Sequence, residues 1–322
     1  ILAGLGIFIT APVVIPSWFA YSATYLGIAA GCGGLGGMIG APIISYFIKS
    51  GGYPAGFMFS AVVAAVVLIP LGLFVMRFKP EEIGAQPYDI ERFQREQAAI
   101  AEKAAAAGGT GAVFNGYSEA EVRKMPHWWL LWVFVALLPF LNGVFMHVPG
   151  ALGDKGLDVI LVGTVLSFYQ FGVAGGQFII GWFSEKLGVN ATLYLWAAIA
   201  VVTAGGLAAY NQPVVAVLAS LVFLLGLIRA LTTVGLPIIV KTLFGMKDYS
   251  KIFSSYYTVV MWAGAIYITV QGWLRDTTGS YNTVFMIISG IAVVLLILLF
   301  IIMSMGKAQE QKRLSGEWKP MQ

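Results

Sequence analysis

The chain has 322 residues, of which 59% are hydrophobic and 11% charged. A soluble domain carries roughly 25% charged residues, so this composition excludes a water-soluble globular protein and makes lipid the solvent. The formal net charge of +4 does not point to nucleic acid, because the basic residues stand at the ends of apolar runs and in loops, as orientation signals do.

Nine apolar runs follow one another, at 2–20, 25–48, 54–77, 128–148, 159–183, 191–209, 213–240, 254–274 and 283–305. Each approaches or exceeds the ~20 residues that a helix needs to span ~30 Å of hydrocarbon. The expected fold is therefore an all-α polytopic membrane protein with nine transmembrane helices. Gly (39 residues) and Pro (13) are abundant, as they are in membrane helices, where close packing and kinks are useful. Cys32 is the only cysteine, so no intrachain disulfide and no cysteine metal cluster is expected.

One polar stretch, 78–127, divides the runs three and six. Within it, residues 88–107 read as a helix: alanines and pairs such as Glu91–Arg95 favour it, and Gly108-Gly109 end it. Ser118-x-x-Glu121 has the form of a capping box opening a short helix, which Pro126 closes. This loop is read as a solvated tether, with a regulatory partner site as the alternative.

With alternating helices, fifteen Lys and Arg, counting Arg77 at the end of the third run, fall on the side that holds 78–127, 184–190, 241–253 and 306–322. Lys49, Lys155 and Arg275 fall on the other, and Arg229 is the one left over. This imbalance predicts a cytoplasmic central loop and C-terminus and an external first residue, in a multi-pass cell-membrane protein.

Two hairpins on the less basic side repeat a pattern. Lys49-Ser50-Gly51-Gly52-Tyr53 precedes Phe57, and Arg275 through Gly279-Ser280-Tyr281 precedes Phe285. The Tyr-x-x-x-Phe spacing puts both rings on one helix face as interfacial anchors. It relates the third run to the ninth, six helices apart, a sign of two parallel halves.

Gly181-Trp182-Phe183-Ser184-Glu185-Lys186-Leu187-Gly188 occupies a turn between two runs. It resembles the Gly-x-x-x-Asp-Arg/Lys-x-Gly loop signature of the major facilitator superfamily, with Glu in place of Asp. Gly allows the tight turn, and the carboxylate can dock on a neighbouring helix N-terminus or a basic residue, so Gly181, Glu185, Lys186 and Gly188 are candidate gating residues. The alternative is that Glu185 and Lys186 only mark the membrane surface.

Phe244-Gly245 to Tyr249, Gly272 to Tyr281 (GWLRDTTGSY), the run Gly27 to Gly40 with Pro42, and Ser118 to Trp132 (SEAEVRKMPHWWLLW) resemble segments of oxalate/formate antiporters and related monocarboxylate transporters. The resemblance covers essentially the whole chain as helices four to twelve of twelve. It implies a major facilitator fold truncated at its N-terminus. Residues 1–77 would be the last three helices of one bundle, 78–127 the central loop, and 128–322 a complete six-helix bundle with its tail. Since the chain opens with Ile1 inside an apolar run, three further helices are expected before it. In the antiporters, basic residues on the eighth and eleventh helices neutralise a dicarboxylate. The corresponding runs 159–183 and 254–274 have no Lys or Arg, which argues against oxalate.

Arg229 lies sixteen residues past Pro213, roughly 24 Å along a helix, whereas Lys241 is placed to snorkel toward the surface. A charge at mid-membrane is costly unless it meets a partner or a polar cavity. The functional expectation is that Arg229 receives a carboxylate through bidentate hydrogen bonds. The structural alternative pairs it with backbone carbonyls near Gly235 and Pro237, or with an acid outside this chain. Tyr169, Gln170, Gln177, Asn142, Tyr256 and Trp262 are further candidate pathway residues, with His147, Tyr257 and Tyr267 as polar neighbours.

No HExxH, GxSxG or Walker sequence is present, so no enzyme activity, cofactor or metal is expected. The expected protein is a secondary active transporter of a small organic anion, monomeric in the lipid bilayer and working by exchange. Proton-coupled monocarboxylate symport, and a non-transporting sensor on a carrier scaffold, are the alternatives.

Overall fold

The computed structural model describes residues 11–70, 72, 74, 77–106, 116–157, 159–210 and 212–315. Apolar chain in lipid satisfies its backbone groups internally, and helices do so within one segment. The described apolar stretches are accordingly helical. A short helix α1 (11–18) leads to α2 (Ala23–Val63), which a π turn continues over Ala64–Leu68. The polar stretch holds α3 (Ile90–Ala106) and α4 (Glu119–Val122). Then come α5 (Pro126–Asp154), α6 (Val159–Lys186), α7 (Val189–Ala209), α8 (Val215–Ala230), α9 (Leu236–Phe244), α10 (Tyr249–Thr278) and α11 (Tyr281–Leu314).

Six described helical segments are long and apolar enough to cross a membrane. They are Ser50–Val67, Pro126–Asp154, Val189–Ala209, Val215–Phe244, Tyr249–Thr278 and Tyr281–Arg313. Helix α6 forms where the run 159–183 was expected. The first run lies partly outside the described residues. Gly51 and Gly52 leave helical geometry inside α2 (φ −137° and +72°), so the kink falls between the second and third runs.

Several local expectations are met with small changes. The Glu91–Arg95 pair forms at 3.3 Å on exposed side chains, and the expected glycine stop at 108–109 lies outside the described residues. The Ser118 amide donates to Glu121 Oε2 at 2.6 Å, the reciprocal half of a capping box. Pro126 is the first residue of α5 rather than a mere terminator, where its missing N–H costs nothing. The long run 213–240 is divided: a π turn over Leu231–Gly235 joins α8 to α9. Pro237 cannot donate to the preceding turn, and a widened turn absorbs the mismatch.

The Tyr-x-x-x-Phe pairs do not act alike. Tyr281 and Phe285 stack with centroids 6.4 Å apart, yet Phe285 is buried in the bundle core rather than anchored at an interface. Tyr53 and Phe57 are both exposed.

Helix α6 is the middle of the assembly, with α8 against one side of it and α2 against another. The α6–α8 crossing is made of glycine. A Cβ on Gly172 would stand 2.1 Å from Phe223 O, and one on Gly226 2.2 Å from Tyr169 O. In lipid, helices associate through such close packing rather than through a hydrophobic drive. The α2–α6 crossing uses the same device, with Gly27 against Gln177 O and Gly181 against Ala23 O, each at 2.4 Å from the notional Cβ. Gly226→Ala is expected to destabilise the fold by about 1–3 kcal/mol through overpacking, read as a lowered melting temperature in detergent. Gly175→Ala, where a Cβ meets nothing within 4 Å, should leave that temperature unchanged.

Candidate functional site

Arg229 stands fourteen residues after Val215 and fifteen before Phe244, the middle of a 30-residue span. The glycine crossing brings α6 to it. Tyr169 of α6 is buried and lies within reach of the charge of Arg229. The charge of Arg229 also reaches Tyr257 and Tyr267 of α10. Phe145 of α5 stacks on Tyr169 with centroids 3.8 Å apart, and Gly143 leaves the room that the Tyr267 ring fills. The charge of Arg229 thus reaches phenols drawn from two helices.

No carboxylate answers this charge. Among the described residues Arg229 has no ion pair, and residues 1–80 contain no Asp or Glu at all. The described acids lie in the polar stretch 78–127 or near the ends of the spans.

One turn further on, two amides converge on the π turn. Asn142 Nδ2 of α5 donates to Thr232 Oγ1 at 2.6 Å. Gln177 Nε2 of α6 donates to Thr233 Oγ1 at 3.3 Å, and Thr233 Oγ1 donates to Arg229 O at 3.3 Å. Asn142 Oδ1 and Gln177 Oε1 are buried with no hydrogen-bond partner.

The other expected pathway residues are placed differently. Tyr256 is fully buried, and its hydroxyl donates to Trp128 O at 3.1 Å amid Trp128, Trp132 and Phe244; it is a satisfied core residue. Trp262 is 71% exposed, and no hydrogen bond or ring contact ties it to Arg229 among the described residues. Gln170 is exposed whereas Gln177 is covered, although seven residues separate them on one helix face. The difference arises because α2 packs over the later turns of α6 at Gly27 and Gly181.

At the Lys/Arg-rich end, the Gly181–Gly188 turn performs a definite contact. Glu185 accepts from Thr24 N at 2.9 Å and from Thr24 Oγ1 at 2.6 Å, and so caps the first turn of α2. Lys186 closes α6, and Gly188 makes the turn with φ +87°. Lys241 does not snorkel to the surface. Its Nζ donates to Ala20 O and Ser22 Oγ, both at 2.8 Å. The start of α2 is therefore gripped from α6 and from α9. The central loop holds the same turn from its other side, with Tyr21 Oη on Glu96 Oε2 at 2.5 Å, Trp18 Nε1 on Arg77 O at 2.9 Å and Tyr88 N on Trp18 O at 2.8 Å.

Thr24, Thr232, Thr233 and the crossing glycines were not singled out from sequence. The spacing of Gly172 and Gly176 on α6 is the signal that could have exposed the crossing.

A helical membrane protein with glycine crossings, an unanswered mid-span cation and a polar clamp at one end is a carrier in its architecture. The chain belongs to the Major Facilitator Superfamily, whose family model matches residues 1–221 and 149–321; it is a transporter and not an enzyme. Among solved structures it is similar to the E. coli fucose:proton symporter FucP in a single-substitution variant (TM-score 0.65, 14% identity), covering 94% of this chain and 74% of that one. It is also similar to FucP in the outward conformation, with TM-score 0.59 and 15% identity over 91% and 71% of the two chains. No curated protein matches the chain.

Proposed function

We propose that the protein moves a small organic anion, a carboxylate, by alternating access in exchange mode. The observation that carries this reading is Arg229, a half-buried guanidinium at mid-span whose charge reaches phenols and which has no ion pair among the described residues. An isolated charge at that depth costs several kcal/mol, and a bound carboxylate offsets it through bidentate hydrogen bonds. The similar symporter takes fucose by its name; a neutral sugar would leave Arg229 without a countercharge, so an anion fits better. Exchange agrees with the resemblance to the antiporter branch, and the described spans hold no Asp or Glu away from their ends to carry a proton.

In this scheme 1–77 rocks against 128–305, with 78–127 as the tether and the basic end in the cytoplasm, as the Lys/Arg distribution supports. The protein works as a monomer. Glu185 and Lys241 close the cytoplasmic end by holding α2, and opening that end breaks their contacts. The resemblance to the oxalate/formate and monocarboxylate branch agrees with a carboxylate, while the single deep cation favours a monoanion over a dianion.

Arg229→Gln in the full-length protein, reconstituted in liposomes, should lower carboxylate uptake by about 10–100-fold, the loss of a charge-assisted hydrogen-bonded pair, with expression intact. Unchanged uptake kinetics would remove Arg229 from the site. Internal substrate should accelerate uptake, and its failure to do so would rule out exchange.

Glu185→Gln should weaken the cap on α2. Spin labels at Ile28 and Leu187, both exposed, in a Cys32→Ser background should then show a longer and broader distance distribution. The same distribution in both proteins would reduce Glu185 to a surface marker.

A further inference from the structure

Ala20, in the turn between α1 and α2, is held through both of its backbone groups by different parts of the molecule. Its carbonyl accepts from Lys241 Nζ at 2.8 Å, and its amide donates to Tyr88 O of the central segment at 3.1 Å. The Tyr88 amide returns a bond to Trp18 O at 2.8 Å, so Phe19 and Tyr88 form a short parallel bridge. Helix α3 follows directly and lays its first turns on the same site. Tyr21 Oη donates to Glu96 Oε2 at 2.5 Å, Arg92 sits over the Tyr21 ring at 5.0 Å, and Phe93 meets that ring edge-on at 6.1 Å. Arg92 and Glu96 pair with each other at 3.2 Å.

The other end of the segment is docked on the far side of the Lys241 contact. The Tyr117 amide donates to Phe244 O at 2.9 Å, three residues beyond Lys241, and the Glu119 amide donates to Asp248 Oδ2 at 3.0 Å. Gly116 lies so close to this turn that a Cβ on it would stand 2.7 Å from Met246 N, and Tyr117 is 3% exposed. The two docks differ in kind. The one at Tyr117 is buried and costly to break. At the other, the side chains of Arg92 and Glu96 are 68% and 50% exposed, and such contacts exchange for water at small net cost. The segment thus runs beside the Lys241 contact, fixed at α9 and releasable at α3.

Resting on the closing role proposed for Glu185 and Lys241, we infer that α3 is a latch on the Lys/Arg-rich end. Docked, it holds the 18–24 turn in the shape that those two residues grip; undocked, it favours opening. A turn ordered beforehand is gripped without a further cost of ordering it. Two holds on one turn are then coupled, and the coupling is reciprocal. Opening loosens α3 by the same factor by which loss of α3 favours opening. A slack tether carries no such link.

The test is spin-label distance measurement on the full-length protein in liposomes, in a Cys32→Ser background. One pair, Ala99 and Ile28, reads the docking of α3; the other, Ile28 and Leu187, reads the Lys/Arg-rich end, and all three positions are exposed. Arg92→Ala combined with Glu96→Ala removes the latch from the α3 side, and Tyr21→Ala removes it from the turn if the first variant does not fold. Either should broaden the first distribution. The share of long distances in the second should rise about fivefold, the population change that one lost net hydrogen bond gives. Glu185→Gln should broaden the first distribution as well, through the shared turn. A freed α3 with an unchanged second distribution overturns the latch, and the closing role of Glu185 then rests on its own variant. An undisturbed first distribution in both latch variants assigns the hold on α3 to other contacts and overturns the latch too. No shift of the second pair in any of the three variants overturns both the latch and the closing role.

Discussion

Backbone contact between α6 and α8 sets the position of everything else. Where Gly172 and Gly226 meet, no side chain separates the helices; a methyl group on either would overlap a carbonyl oxygen. The crossing brings Tyr169 within reach of the charge of Arg229, three residues after Gly226. It also sets the register in which Gln177 meets Thr233. A wider crossing, such as Leu or Ile would impose, would separate these pairs by the thickness of a side chain. The small residues make the polar contacts, although they take no part in them.

The same geometry recurs on the other side of α6, where Gly27 and Gly181 bring α2 in as closely. There the outcome is a clamp, because the ends of both helices lie nearby. Glu185 meets the unpaired amide of the first turn of α2, the kind of donor that every helix start leaves over. Lys241 takes the carbonyl of Ala20 just before it. Opposite charges on two helices thus grip one turn, and the central loop braces that turn from outside. All of these contacts are polar and lie at the end of the bundle.

Much of the helical framework is legible in the sequence, since lipid imposes helices and their lengths. The break at Gly51-Gly52 and the depth of Arg229 follow from residue type and counting alone. The carboxylate of Glu185 on a helix N-terminus was legible as well, because a Gly-flanked turn at a helix end has few other uses for an acid. What sequence could not supply was partnership between helices. Tyr256 and Tyr257 are neighbours with similar composition around them, yet one hydroxyl is spent on Trp128 O and the other residue lies within reach of Arg229's charge. Helical pitch separates them by 100°, and only the placement of α5 decides which faces what. Lys241 misled for the same reason: it stands near a helix end, where snorkelling is the default, and nothing in its own helix announces the turn at Ala20.

An unanswered arginine also bears on how such a carrier turns over. In alternating access the site passes through a closed state in which water is shut out. An empty site would take a bare guanidinium through that state, whereas a site holding a monoanion goes through neutral. The desolvation of an unpaired charge is of the order of several kcal/mol, enough to slow the empty transition by a factor of about 10³ at 1.4 kcal/mol per decade. A carrier with that asymmetry reorients when loaded and waits when empty, which is exchange. Proton symport escapes the constraint only if an acid in the path neutralises the arginine during the empty return, and the described spans hold no such acid. On the proposed reading, the coupling mode therefore turns on one side chain's charge and on whether an acid meets it.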